Sequence, residues 1–236
     1  MSWVETLTDE VEEQLSVEWN SRNGSVIPET SNIALTDGAV KINATFLYAD
    51  LAGSSVLAKV CPWTTTAKII RAYLEICTRL IKAYEGEIRS FDGDRVMGVF
   101  MGNYQNTHAT RCAREIDWVV EEVIAVKAKD KFKSIRENNI KIKHCIGIDT
   151  GEVVAVRAGI RNNNDLIWIG KAASMAAKLS DIRTYPFSVY ISSTTYSKLG
   201  DSDKISSDGS KIWEQYSFKF TGEEKIVYRT KTMKTP

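Results

Sequence analysis

Residues 85–101, EGEIRSFDGDRVMGVFM, set two short apolar runs either side of FDGD. Turn formers between strand-like runs predict a hairpin with Asp92 and Asp94 at its tip. Upstream, residues 65–84 place Ile69, Ile70, Tyr73, Ile76, Cys77, Leu80, Ile81 and Tyr84 on one broad helical face. Before that helix, INATFLYAD is rich in strand formers and ends on Asp50. Small residues follow (Leu51-Ala52-Gly53-Ser54-Ser55), so the backbone can come close to a ligand. If these strands are neighbours in one sheet, Asp50 and Asp94 emerge at the same edge. Two carboxylates placed there repel unless something neutralises them. Magnesium bridging a polyphosphate would do so, since that ion prefers hard oxygen ligands. Taken singly, each motif favours a plainer reading, Asp50 as a helix cap and Asp92 and Asp94 as ordinary turn residues; taken together and in this order they do not.

Working outward, residues 106–128 read as a second long helix. KIKHCIGIDTGEVVAVRAGI (141–160) reads as two strands joined at DTGE, and Asn162–Asn164 as a polar loop. DLIWIG is a short strand, KAASMAAKLSDI an Ala-rich helix and YPFSVYIS a strand entered through an X-Pro step. Residues 200–210 read as a loop, and WEQYSFKFTGEEKIVYRTK as a closing strand pair. At the other end, Trp3, Val4, Leu7, Val11, Leu15 and Trp19 lie at helical spacing, and SRNGSVIPETSN reads as a linker. The order β-α-β-β-α-β-β-α-β with extra C-terminal strands predicts an α+β fold with a mainly antiparallel sheet. Residues 1–40 form an appended helix and linker, and 41–236 a single domain.

The chain has 236 residues, 43% of them hydrophobic, and a formal net charge of +1. That length supports one sizeable core. The balanced charge gives no reason to expect a nucleic-acid partner. Cys61, Cys77, Cys112 and Cys145 form no CxxC pair and read as thiols of a reducing compartment. The acidic N-terminal segment lacks the features of a signal peptide, and no run approaches the roughly 18 apolar residues of a membrane span. We therefore expect a cytoplasmic protein with no membrane contact. His108 and His144 have no partner in reach by sequence. Trp63, Trp118 and Trp213 read as core or dimer contacts.

The motifs together resemble those of class III nucleotide cyclases. YADLAGSS is similar to the family's first metal motif, and GEIRSFDGDRVMGVF to its second. CIGIDTGEVV resembles the G-I-x-x-G-x-V strand pair, GKAASMAAKL the G-x-x-V-N-x-A-x-R-L helix, and VYISSTTYSKL and FTGEEKIVYRT the last strands. The likeness spans about residues 41–230. It implies the class III cyclase fold, with a ferredoxin-like βαββαβ core. It implies that Asp50, Asp94 and the Leu51 carbonyl hold two divalent cations, Mg2+ or Mn2+. The substrate is then a nucleoside triphosphate whose ribose 3′-hydroxyl attacks the α-phosphorus and expels pyrophosphate. The family's active sites form between two protomers, so the resemblance implies a homodimer.

Departures from the family pattern bear on mechanism and substrate. Ser174 and Lys178 stand where the family's catalytic helix has Asn and Arg. They share a helix face, but Lys lacks the guanidinium fork. Arg161 stands where some members bind the terminal phosphate, and Lys171 and Lys225 are weaker phosphate candidates. At the base pocket, Ser90, beside Arg89, replaces the lysine of adenylate cyclases, and Ile167, beside Trp168, replaces their Asp or Thr. The Glu and Cys usual in guanylate cyclases are absent too. These departures resemble the bacterial pyrimidine cyclases of antiphage defence, with Tyr48, Trp168 or Arg89 fitting the pocket to a smaller ring. UTP is the expected substrate, ahead of CTP, and a separate effector would read the cyclic product. The alternatives are an adenylate or guanylate cyclase with a divergent pocket, and an inactive nucleotide-binding regulator. A dinucleotide cyclase is disfavoured by the missing G-G-[DE]-[DE]-F signature.

Overall fold

The structure, a computed structural model, describes residues 2–236. In chain order the helices are α1 (Trp3–Leu15), α2 (Ser54–Val60), α3 (Trp63–Ala83), α4 (Gln105–Trp118), α5 (Ala125–Lys131), α6 (Lys133–Glu137), α7 (Lys171–Ser180) and α8 (Ser193–Ser197). The strands are β1 (Asn20–Asn23), β2 (Gly38–Ala52), β3 (Glu87–Asp92), β4 (Arg95–Phe100), β5 (Lys143–Ile160), β6 (Asn163–Ile169), β7 (Val189–Ser192), β8 (Glu214–Phe220) and β9 (Glu223–Thr230). The sheet runs β3-β4-β2-β5-β7-β9-β8, with β1 paired to β2 and β6 to β5 off this path. The β5–β7 and β1–β2 pairs are parallel, while β2–β4, β3–β4, β5–β6, β7–β9 and β8–β9 are antiparallel. This is the α+β architecture, with extra C-terminal strands, that the sequence predicts.

The chain divides into two compact units, Met1–Ile42 with Glu152–Gly170, and Asn43–Gly151 with Lys171–Pro236. The larger unit carries the main core. Leu47, Ala49, Ile146 and Ile148 from β2 and β5 pack with Tyr73, Cys77 and Ile81 of α3 and Ala109, Cys112 and Ile116 of α4. A fully buried side chain of the Ile or Leu size contributes about 1.5–3 kcal/mol. A second cluster, Cys145, Met175, Leu179, Tyr190 and Val227, seats α7. Gly147 makes that seat possible: a Cβ there would lie 2.1 Å from the Ala176 carbonyl oxygen. All four cysteines are free and buried, and burial pushes the Cys77 and Cys145 thiols up to about 12.

A polar ladder crosses this unit. Thr150 Oγ1 lies 2.6 Å from Asn106 Oδ1 and 2.9 Å from the hydroxyls of Thr45 and Thr195. Asp149 accepts from the Ser192 hydroxyl and, at 2.7 Å, from the Thr150 amide. Burial pushes the Asp149 carboxyl above its ordinary value, although those two hydrogen bonds, Lys171 and Lys198 pull the other way. An acid whose folded pKa is raised contributes its stability below the ordinary carboxylate range and loses it as pH rises through the raised value. The parent should therefore lose stability relative to Asp149→Asn as pH rises above the ordinary carboxylate range. Thermal melts of both proteins across that rise test this, and parallel pH profiles would refute it.

Local readings needed correction where long-range pairing decides the structure. The supposed linker at 21–32 begins inside β1, which pairs in parallel register with Gly38–Lys41. Asn163 and Asn164, read as loop, start β6, opposite Ile160 and Gly159. The helix expected over 106–128 spans 105–131 and contains a π-helical turn, Val119–Ile124. The strand after the X-Pro step begins only at Val189, and VYISSTTYSKL includes α8. Both histidines have partners: His144 Nε2 lies 2.9 Å from Asp117 in the core, and His108 Nδ1 is 3.5 Å from Glu85. Trp213 is a core residue, whereas Trp63 is 79% exposed, which leaves it the dimer-contact alternative.

In the smaller unit β5 and β6 form a long hairpin, turning at Arg161-Asn162, with Asn162 at a φ of 70°. α1 is capped by the Ser2 hydroxyl and Glu5 in a reciprocal capping box. None of its residues is buried.

Candidate active site

The strand register builds the site. β2 pairs with β4 so that Asp50 faces Arg95 and Tyr48 faces Met97. β3 pairs on the other side of β4 so that Asp92 faces Arg95 and Ser90 faces Met97. Residues directly opposite each other, and those two apart along a strand, share a sheet face. One face thus carries the row Asp50–Arg95–Asp92 and, one step inward, the row Tyr48–Met97–Ser90. The connecting turn is Gly93-Asp94, and Gly93 takes a φ of 60°, as the first position of a type II′ hairpin turn demands. The Leu51 amide donates to the Asp94 carbonyl at 3.4 Å. Asp50, Leu51 and Asp94 therefore meet at one end of the sheet.

Their electrostatics are dominated by two arginines that sequence reading missed. The Asp50 side chain is 10% exposed; Arg183 donates to it, and Arg95 Nε lies 3.5 Å away. Arg95 also pairs with Asp181 at 2.6 Å, and Lys178 approaches Asp181 at 3.8 Å. Burial alone would lower the Arg95 pKa, but Asp50 and Asp181 more than offset it, so the net shift is upward. Because both guanidiniums are partly solvated, each pair contributes only about 1 kcal/mol or less. Among the described residues, no hydrogen bond or ion pair reaches the Asp94 carboxylate.

The donors suit a hard cation. Among the described residues no group of three His, Cys, Asp or Glu could hold a metal ion. Two carboxylates and a main-chain carbonyl are instead the partial set that Mg2+ uses when substrate phosphates and water supply the rest. The Arg183 and Arg95 contacts show that Asp50 draws cationic charge to this end of the sheet.

The other candidates are divided between the units. Ser174 and Lys178 lie on the exposed face of α7, with Lys171 a turn earlier, while Met175 and Leu179 face the core. Lys225 is paired with Glu223, which weakens it as a phosphate ligand. Arg89 is the extra residue of a β-bulge, since the register slips between Ile88 and Ser90. Its side chain is 13% exposed, and its Nε is buried without a hydrogen-bond partner. Burial raises the Tyr48 hydroxyl pKa, against the opposing charge of Arg95. Tyr48, Arg89 and Ser90 thus sit within two adjacent rungs of the larger unit. Arg161, Ile167 and Trp168 belong to the β5–β6 hairpin of the smaller unit; Arg161 is exposed and Ile167 is 46% exposed. Arg95 could have been read from the hairpin itself, as the neighbour of Asp94. Arg183 and Asp181, which follow α7, carry no local signal.

An α+β sheet that delivers two carboxylates from adjoining strand ends, in a chain whose α7 exposes a hydroxyl and a cation, defines a class of enzyme. No family model matches the chain, but individual proteins do. The chain belongs to the class III nucleotide cyclases and is a nucleotide cyclase. It is 39% identical over its whole length, and 99% of the relative's, to a uridylate cyclase of Rhodovulum sp. (strain MB263). A uridylate cyclase of Xanthomonas perforans is 37% identical over 90% of this chain and 89% of its own. The fold matches that of a bacterial light-regulated adenylyl cyclase at a TM-score of 0.69 and 21% identity, covering 85% of this chain and 54% of that one. Among the described residues no helix is long and apolar enough to cross a membrane.

Proposed function

We propose that the chain converts UTP, or CTP, to the 3′,5′-cyclic monophosphate and pyrophosphate, at a site completed across a homodimer. The observation that carries the reaction is the register that sets Asp50 and Asp94 at one sheet end. The base assignment is supported by the relatives named uridylate cyclase and by a row containing Tyr48 and Ser90 but no lysine.

Asp50, Asp94 and the Leu51 carbonyl would hold two Mg2+ or Mn2+ ions, which when bound offset the triphosphate charge and favour ionisation of the ribose 3′-hydroxyl. The remaining work falls to the chain. Arg95 and Arg183 hold the Asp50 carboxylate in place. In the reaction the 3′-oxygen bonds to the α-phosphorus, the bond from that phosphorus to the bridging α–β oxygen breaks, and the hydroxyl proton passes to solvent. Ser174 and Lys178 of the partner protomer donate a hydrogen bond and positive charge to the phosphoryl oxygens in the transition state. Arg161, exposed and with no ion pair among the described residues, takes the terminal phosphate. Tyr48, Arg89 and Ser90 line the base, with Ile167 and Trp168 contributed by the partner. The Arg89 guanidinium, with its Nε unsatisfied, is suited to a uracil carbonyl oxygen, since a buried unpaired donor gains most from an acceptor. We take residues 41–236 as the catalytic domain. We take the product to be a second messenger of antiphage defence, read by a separate effector.

The test is a mixture of ATP, GTP, CTP and UTP with the purified protein, in magnesium and then manganese, with cyclic products identified by mass. Cyclic UMP or cyclic CMP, absent with Asp50→Ala and Asp94→Ala, is the expected result. Cyclic AMP or cyclic GMP alone would keep the enzyme class and overturn the base assignment. No product in any condition would favour a nucleotide-binding regulator.

A further inference from the structure

α1 is an unusual element for a chain to carry at its surface. Its apolar residues form one stripe, and all of them are exposed: Trp3 72%, Val4 72%, Leu7 42%, Val11 56% and Leu15 83%. At 100° per residue, Trp3, Leu7, Val11 and Leu15 advance by only 40° each, so the stripe is continuous. The rest of the helix is acidic: Glu5, Asp9, Glu10, Glu12 and Glu13, with no lysine or arginine. Glu10 borders the stripe on one side and Glu12 on the other.

The larger unit holds a groove of complementary character. It lies between α3 and the rod formed by the π-helical turn and α5, and has a volume of about 390 Å³. Its floor is apolar, with Ile69, Ala72 and Ile76 facing Val119, Val123 and Phe132. Lys68 stands on the α3 rim, and Lys127 and Lys131 on the opposite one. An apolar channel with a lysine on each side matches a helix whose apolar stripe has a glutamate on each side.

We infer that this groove receives α1 of a second copy of this chain. This rests on the homodimer reading above and assigns one of its contacts. Charge complementarity selects the occupant. Two α1 helices packed on each other would oppose five acids to five, and an anionic membrane would repel the same face. α1 buries none of its residues, so its apolar stripe is open to a partner. Exchange of α1 between two copies is a closed, two-fold arrangement in which each gives a helix and receives one.

A mixing experiment tests this. Leu7→Cys lies on the stripe and Ala72→Cys on the groove floor, both solvent-accessible, whereas the four native thiols are buried. Mixed and mildly oxidised, the two full-length variants should form a disulfide-linked pair. Lys127→Glu with Lys131→Glu in the Ala72→Cys partner should cut its yield several-fold at low salt. Glu10→Lys with Glu13→Lys in the Leu7→Cys partner should restore it. A protein that is dimeric by light scattering yet forms no mixed disulfide would overturn this contact alone. So would linkage found only within one chain when both cysteines are on the same chain. A monomeric protein would overturn the contact and the homodimer reading together.

Discussion

Asp94→Asn should lower cyclic nucleotide formation on the order of 10³-fold while leaving the melting temperature nearly unchanged. The two halves rest on different observations. Asp94 occupies the second position of the β3–β4 turn, and among the described residues nothing pairs with its carboxylate. Removing its charge therefore takes no contact from the fold, and a surface change of that kind stays within about 0.5 kcal/mol. Its proposed task is to hold a cation against a triphosphate, an effect worth several kcal/mol of transition-state charge stabilisation. At about 1.4 kcal/mol per tenfold in rate, that gives the stated loss. Turnover by product mass and a thermal melt of the same sample check both halves. A variant keeping more than a tenth of parental turnover would remove Asp94 from the site. Asp50→Asn should cost similar turnover but also change stability, because Arg95 and Arg183 each lose one charged partner.

Gly147→Ala is the substitution with the largest expected effect on the fold. The added Cβ would meet the Ala176 carbonyl oxygen at 2.1 Å, the Ser180 amide nitrogen at 2.5 Å and the Leu179 Cβ at 2.7 Å. Two of these are backbone atoms of α7, so no side-chain rotation relieves the clash and the helix must lift. Overpacking of this kind costs about 1–3 kcal/mol or more, and for a chain of this size each kcal/mol lowers the melting temperature by about 2–4 °C. Turnover should fall beyond the stability loss, because Ser174 and Lys178 ride on the displaced helix. Gly151→Ala is the control: its nearest neighbour would be the Ala172 Cβ at an ordinary 3.5 Å, and its melt should match the parent's. Equal melting temperatures for Gly147→Ala and the parent would refute the packing argument.

What could be read in advance was local. FDGD between two apolar runs and an apolar strand ending at Asp50 are patterns of a few residues, and strand pairing turned them into one edge. The elements that escaped notice depend on distant partners. NSRN has no apolar residue and becomes β1 only because the start of β2 lies beside it. Asp117 looks like any helical carboxylate until His144, 27 residues later, meets it in the core. Arg183 reaches Asp50 across 133 residues from an irregular segment after α7. No periodicity marks such a residue, since its position depends on how α7 docks. The base-pocket candidates divide likewise: Tyr48 and Ser90 meet through Met97, whereas Ile167 and Trp168 belong to a different compact unit.

The two ends of the sheet also govern how the chain behaves when crowded. β3 and β8 leave one side of their backbone amides and carbonyls unpaired, which makes such strands templates for runaway association. β3 blunts this with its bulge at Arg89 and with Glu87, Arg89 and Asp92 within six residues. β8 carries Glu214 and Lys219 near its two ends. A neighbouring chain that tried to extend the sheet would meet a kink at one margin and charge at both. Sheet extension from these two margins is therefore discouraged.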